Sequence, residues 1–308
     1  MANTHAASNG SGAAADMPVG TPVTTAGPPT GIASADDGFA ERVRDAIDRQ
    51  ELSLVFQPQA DVFTGRLTGF EALARWRLSD GTMLPPDVFV PMAEQGDAIH
   101  LLGEWSLRSA CATAAGWLRD GLVDAPVSVN LSARQLDDPG LVRLVLGALA
   151  DTGLPAANLK LELTETALFN HGADEREALM QLRGAGVRLV LDDFGTGWSS
   201  LAMLRRIPME SLKIDKQFVQ AMVEDRDAAA IVQAVVALAH AMDLTVVAEG
   251  VETPEQRLFL QAYRCDTLQG YWLSRPLAPE GVEAFLAERI VSGLTRPAPK
   301  PAGPPPVG

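Results

Sequence analysis

The chain has 308 residues and a formal net charge of −14, with its basic residues scattered and Arg205-Arg206 the one adjacent pair. So acidic a chain, with no basic stripe, is poorly suited to tracking polymeric nucleic acid through its phosphates. Its most apolar stretch, 228–244, is broken by Gln233, His240 and Asp243 and falls short of the ~20 residues of a membrane span.

Residues 1–38 hold no aromatic side chain, no Lys and no Arg. Such a stretch cannot offset the entropy of ordering itself, so a disordered leader is expected. It lacks a basic region followed by a continuous apolar run, and no signal peptide is read. A helix is expected over 39–49, leading into strand-like runs at 52–56 and 67–73 that can meet as a hairpin. The link from 75 to about 126 has room for more than one helix, one of them over 99–116. Further strand-like runs follow at 127–131, 159–163, 187–191, 211–214, 245–248 and 267–271. Most are rich in Val, Ile and Leu, as in strands covered on both faces. Helices are expected between and after them over 139–150, 173–185, 228–242, 254–263 and 279–288. Gly153 and Gly186 stand at expected helix stops, and Pro139, Pro254 and Pro279 at starts. Residues 291–308 carry no aromatic side chain and are rich in proline, so a second disordered tail is expected. All aromatic residues fall within 39–290, close to the roughly 250 residues of one α/β barrel of the (β/α)8, TIM-like type. Cys111 and Cys265 show no CxxC spacing, which argues against a disulfide framework and for a cytoplasmic protein.

Polar residues collect at the strand ends. Glu71, Asn130, Glu162, the Asp192-Asp193 pair, Lys213, Asp215, Glu249 and Gln269 each stand at or just beyond a strand-like run. In a barrel these positions converge on one mouth, where active sites of that architecture lie. Any one acid alone is better read as a helix cap or an ion-pair partner. Taken together, so many carboxylates would repel one another unless cations neutralised them. Carboxylates with an amide oxygen are hard donors, suited to Mg²⁺ or Mn²⁺. The histidines show no HxH or HExxH spacing. Adjacent carboxylates suit two ions, one bridging and one terminal, the usual arrangement for in-line attack on a phosphodiester. The stretch 194–200, with Gly195 and Gly197, reads as a flexible loop at the mouth or simply a turn into the next helix. Neither GxxxxGK[ST] nor GxGxxG is present.

These residues carry a resemblance. Glu71-Ala72-Leu73-Ala74-Arg75, Val129-Asn130-Leu131-Ser132, Glu162-Leu163-Thr164-Glu165, Asp192-Asp193-Phe194-Gly195-Thr196-Gly197, Leu212-Lys213-Ile214-Asp215, Ala248-Glu249-Gly250-Val251-Glu252 and Leu268-Gln269-Gly270-Tyr271 resemble the EAL domain. That family comprises bacterial phosphodiesterases that open cyclic di-GMP to linear pGpG, and the likeness spans 39–290. It implies a (β/α)8-like barrel with an antiparallel first strand. It assigns metal binding to Glu71, Asn130, Glu162, Asp192, Asp193 and Glu249, with two ions of Mg²⁺ or Mn²⁺. Lys213 becomes catalytic near the attacking water, supported by Asp215 and Glu252. Gln57, Arg75 and Gln269 become substrate contacts, and Glu165 the carboxylate that holds the 194–200 loop. A homodimer is compatible with it. Trp198, Gln217 and Arg264 depart from the family's usual Tyr or Phe, Ser and Gly. The competing reading is a module that binds cyclic di-GMP or a partner without hydrolysis. An unrelated Mg²⁺-dependent barrel enzyme would explain the acids but not the motif order.

Overall fold

A computed structural model of the chain describes residues 36–169, 172–195, 207 and 209–291. Of the expected leader (1–38), residues 1–35, and of the expected tail (291–308), residues 292–308, lie outside the described residues, as does the expected loop beyond Gly195, while Val291 ends the last helix, Gly281–Val291. Residues 36–38, expected to end the leader, instead open the first helix, Asp36–Asp48.

Among the described residues nine strands follow: β1 Leu52–Asp61, β2 Leu67–Arg77, β3 Met83–Leu84, β4 Val127–Asn130, β5 Leu159–Thr164, β6 Arg188–Phe194, β7 Ser211–Ile214, β8 Thr245–Ala248 and β9 Thr267–Gln269. Eight close into a ring in the order β1-β9-β8-β7-β6-β5-β4-β2, with β2 returning to β1. The short β3 hangs on the outer end of β2. β1 runs antiparallel to both its neighbours, while the pairs from β2 through β4 to β9 are parallel. The link between β1 and β2 is too short for a crossover helix, which makes the first pair a hairpin.

The strands are not apolar on both faces. In β5, Leu159, Leu161 and Leu163 join the apolar core, with Val145 and Ala148 of the helix Leu141–Thr152 among its members. Glu162, one residue out of phase, meets Lys213 of β7 across the barrel. Side chains alternate along a strand, so the aliphatic period serves the strand–helix layer and the polar period fills the mouth. Among the described residues, no helix is long and apolar enough to cross a membrane.

Boundaries moved where caps decide them. The helix expected over 139–150 begins at Leu141, because Asp138 Oδ1 accepts from Gly140 N (2.7 Å) in a turn ahead of it. Arg264, where the resemblance leads one to expect Gly, takes φ +62°, a region that glycine enters without steric cost. β9 ends at Gln269 because Gly270 turns the chain against the loop after β8. Val251 N donates to Gln269 O (3.0 Å) and Trp272 N to Val251 O (2.9 Å). A Cβ on Gly270 would collide with the Val251 backbone. Gly270→Ala should therefore lower stability by about 1–3 kcal/mol through overpacking, measured by urea unfolding. An unchanged midpoint would show that the two loops part freely.

Candidate active site

Lys213 organises the mouth. β7 is buried along its length, and Leu212 and Ile214 lie in the apolar core, so Lys213 must turn inward. Its Nζ donates to Glu162 Oε2 (2.6 Å), Asp192 Oδ2 (3.1 Å) and Glu71 Oε2 (3.2 Å), and pairs with Glu249 Oε1 at 2.6 Å. Burial works against its charge, but these four carboxylates hold it well above the ordinary lysine pKa. A buried charge is tolerated only when paired and hydrogen-bonded.

The carboxylates differ among themselves. Burial would raise Glu71, yet Lys213 and the Gln269 and Asn130 donors outweigh it and hold the carboxyl below the ordinary value. Gln269 Nε2 donates to Glu71 Oε2 (2.6 Å) and Asn130 Nδ2 to Oε1 (3.1 Å). Glu249 is pushed up to about 8 by burial, with Lys213 opposing and Asp192 and Glu71 adding to the rise. Glu162 rises to about 7 in the same way. Asp193 rises to about 6 through burial and the charges of Asp192 and Asp215.

Adjacent residues of a strand point to opposite faces, yet Asp192, Asp193 and Glu249 bring carboxylate oxygens within 4.8 Å of one another. The backbone explains it. The β6–β7 register breaks between Leu191 and Phe194, and Asp193 takes φ +55°. Its N–H donates to Asp192 Oδ1 (2.8 Å), fixing both acids beside one another. Such a left-handed residue is a modest strain that the surrounding structure must hold.

The donor set fits divalent cations. Glu71, Glu162, Asp192 and Glu249 meet one ammonium and Asp193 lies beside Asp192 and Glu249, and all offer hard oxygen donors. Asn130 uses its amide nitrogen on Glu71, leaving its carbonyl oxygen as the atom suited to a cation.

Other expected residues stand at the rim or apart. Asp215 caps the helix Lys216–Ala221 through Gln217 N (2.7 Å) and adjoins Asp193. Glu165 is buried, and its Oε2 accepts from Gly195 N at 3.4 Å. Its Oε1 has no partner among the described residues, and the expected contacts to Thr196 and Ser199 lie outside them. Thr164 Oγ1, accepting from Ala167 N (3.2 Å), performs the capping that Glu165 could otherwise have been assigned. Arg75 lines a cavity of about 260 Å³ with Glu94, Ile99, Leu131, Asn130 and Glu162, opening beside the acids. Gln57 donates to Ser274 O (2.5 Å) and Glu252 accepts from Gln220 Nε2 (3.1 Å), so neither joins the cluster here. The sequence reading missed Gln59, which donates to Gln269 Oε1 (2.8 Å).

Comparisons with known proteins show what the whole chain is similar to. A family model described as EAL domain matches residues 40–276. An uncharacterized signaling protein of Caulobacter vibrioides is 44% identical over 247 residues, 78% of this chain and 30% of its own length. The bifunctional diguanylate cyclase/cyclic di-GMP phosphodiesterase MucR of Pseudomonas aeruginosa is 41% identical over 245 residues, 80% of this chain and 36% of its own. The chain thus spans about a third of the length of these curated relatives. The solved structure of the PaMucR phosphodiesterase in complex with c-di-GMP superposes with a TM-score of 0.76 at 40% identity, covering 79% of this chain and 99% of that one.

The raised carboxyls set a pH dependence for the cation-free protein. Unfolded, the glutamates titrate near 4.5; folded, Glu162 and Glu249 titrate near 7 and 8. Between those limits the folded state keeps protons that the unfolded state has released, so stability falls as pH rises. Melting temperature in chelator should decline from pH 5 to 8.5, and excess Mg²⁺ should remove most of the decline. A profile that rises over that window would contradict the site's electrostatics.

Proposed function

The chain belongs to the EAL domain family, and we propose that it is a metal-dependent phosphodiesterase opening cyclic di-GMP to linear pGpG. The observation that carries this is the full set of oxygen donors around Lys213, with Asp192, Asp193 and Glu249 within 4.8 Å. Mg²⁺ or Mn²⁺, two ions held by Glu71, Asn130, Glu162, Asp192, Asp193 and Glu249, would when bound polarise the phosphate and make water acidic enough to attack.

The chain's own residues supply the remainder. Lys213, itself buried, brings a fixed positive charge to the place where charge builds on the phosphate. Asp192 and Asp193, fixed side by side, set where the attacking oxygen can sit. Arg75 and the cavity beside it offer a cationic and partly apolar wall for a ribose and base of the dinucleotide. Glu165 accepts from Gly195 N and so ties down the backbone two residues beyond the paired aspartates. A displacement there of about 1 Å can cost roughly 10²-fold in rate. A cytoplasmic location suits the reading, since Cys111 and Cys265 are both free buried thiols.

Chromatographic product analysis with cyclic di-GMP and Mg²⁺ or Mn²⁺ tests the proposal. Linear pGpG should form and should vanish with chelator, with Glu162→Gln or with Asp192→Asn. Binding of the dinucleotide without turnover would instead favour the non-hydrolysing module. Lys213→Ala should lower kcat by roughly 10²–10³-fold while cyclic di-GMP still binds. A rise in KM at unchanged kcat would make Lys213 a substrate contact.

A further inference from the structure

Gln59 lies at the seam where the barrel closes. On β1 it faces Gln269 of β9 on one side and Gly69 of β2 on the other. The β1–β2 register shifts between Gln59 and Ala60, and bulges of this kind re-aim side chains beside active sites. Gly69 offers no side chain, and a Cβ there would come within 3.1 Å of Gln59 Oε1. Gln59 is 2% exposed, and its Nε2 donates to Gln269 Oε1 at 2.8 Å. Gln269, itself buried, turns its own Nε2 onto Glu71 Oε2 at 2.6 Å. That same oxygen receives Lys213 Nζ at 3.2 Å.

The direction of these bonds is fixed by chemistry. An ionised carboxylate only accepts, so the Gln269 amide must present its nitrogen to Glu71 and its oxygen to position 59. Position 59 must therefore donate. Reversing the Gln269 amide would set its carbonyl oxygen against Glu71, with both groups buried and unable to turn to water.

We infer that Gln59 is a positioning residue, which locks the Gln269 amide in the one orientation that aims the Glu71 carboxylate at the cations. The inference rests on the proposed metal-dependent activity and extends it to a residue that touches neither cation nor substrate.

The test replaces Gln59 in the full chain by Lys, which can only donate, by Glu, which when ionised can only accept, and by Met, which does neither at similar length. Mn²⁺ affinity is measured by calorimetry, kcat and KM with cyclic di-GMP, and folding by urea unfolding. Gln59→Glu and Gln59→Met should weaken Mn²⁺ binding roughly 10–100-fold, as losses of groups that orient metal ligands do. They should lower kcat with little change in KM, and Gln59→Lys should stay within about threefold of the parent. Charge alone predicts the reverse order, Glu tightening Mn²⁺ and Lys loosening it, and that order would overturn the inference. If Gln59→Glu fails to fold, Gln59→Met decides: parent-like Mn²⁺ affinity in a folded Met variant also overturns it. A parent protein that binds no Mn²⁺ would defeat the proposed function itself, and this inference with it.

Discussion

One ammonium buried among four carboxylates is the constraint on which the mouth of the barrel depends. Lys213 is 1% exposed and meets Glu71, Glu162, Asp192 and Glu249 within 3.2 Å. Removing such charges from water costs several kcal/mol per ion, and mutual attraction repays that only when the geometry is good. The geometry here is good for Lys213 and insufficient for the acids, because Asp193 adds a fifth carboxylate beside the four. Burial first, and that surplus after it, show as raised carboxyls at Glu249, Glu162 and Asp193. A site in that condition either keeps protons or takes cations. The barrel creates the condition by ending parallel strands at one level, and the chemistry follows from relieving it.

Backbone irregularities then convert a ring of strand ends into a site. Asp193 at φ +55° lets two sequential acids share one face. Gly250, at φ +65° directly after Glu249, lets the chain pass so close to Lys216 that a side chain there would clash. Each device sits one residue from a member of the cluster. They fix the backbone on which these carboxylates stand, which is what positioning to a fraction of an ångström demands.

Much of this was legible in the sequence, and the exceptions have physical causes. The eight barrel strands, the hairpin and the residues Glu71, Asn130, Glu162, Asp192, Lys213 and Glu249 could be read because aliphatic runs mark the strands and polar residues interrupt their ends. Gln59 was missed because the aliphatic run marks the strand only over 52–56, whereas β1 continues to Asp61, past a proline of the kind that central strands rarely hold. The helix Lys216–Ala221 is only six residues long, too short to show a period. Gln57 and Glu252 illustrate a different limit. Pattern gives a side chain's type and its place along a strand, but Ser274 and Gln220 decide where those two groups point.

The central claim is that the surplus negative charge around Lys213 constitutes a two-cation site. Titration of Mn²⁺ into cation-free protein, followed by electron paramagnetic resonance, tests it most directly. The account predicts two ions per chain with a spin-coupled spectrum, since paired ions at such sites lie roughly 3.5–4 Å apart, and loss of the coupled signal in Asp192→Asn. Binding of a single uncoupled ion, or a coupled spectrum unaltered by Asp192→Asn, would contradict it.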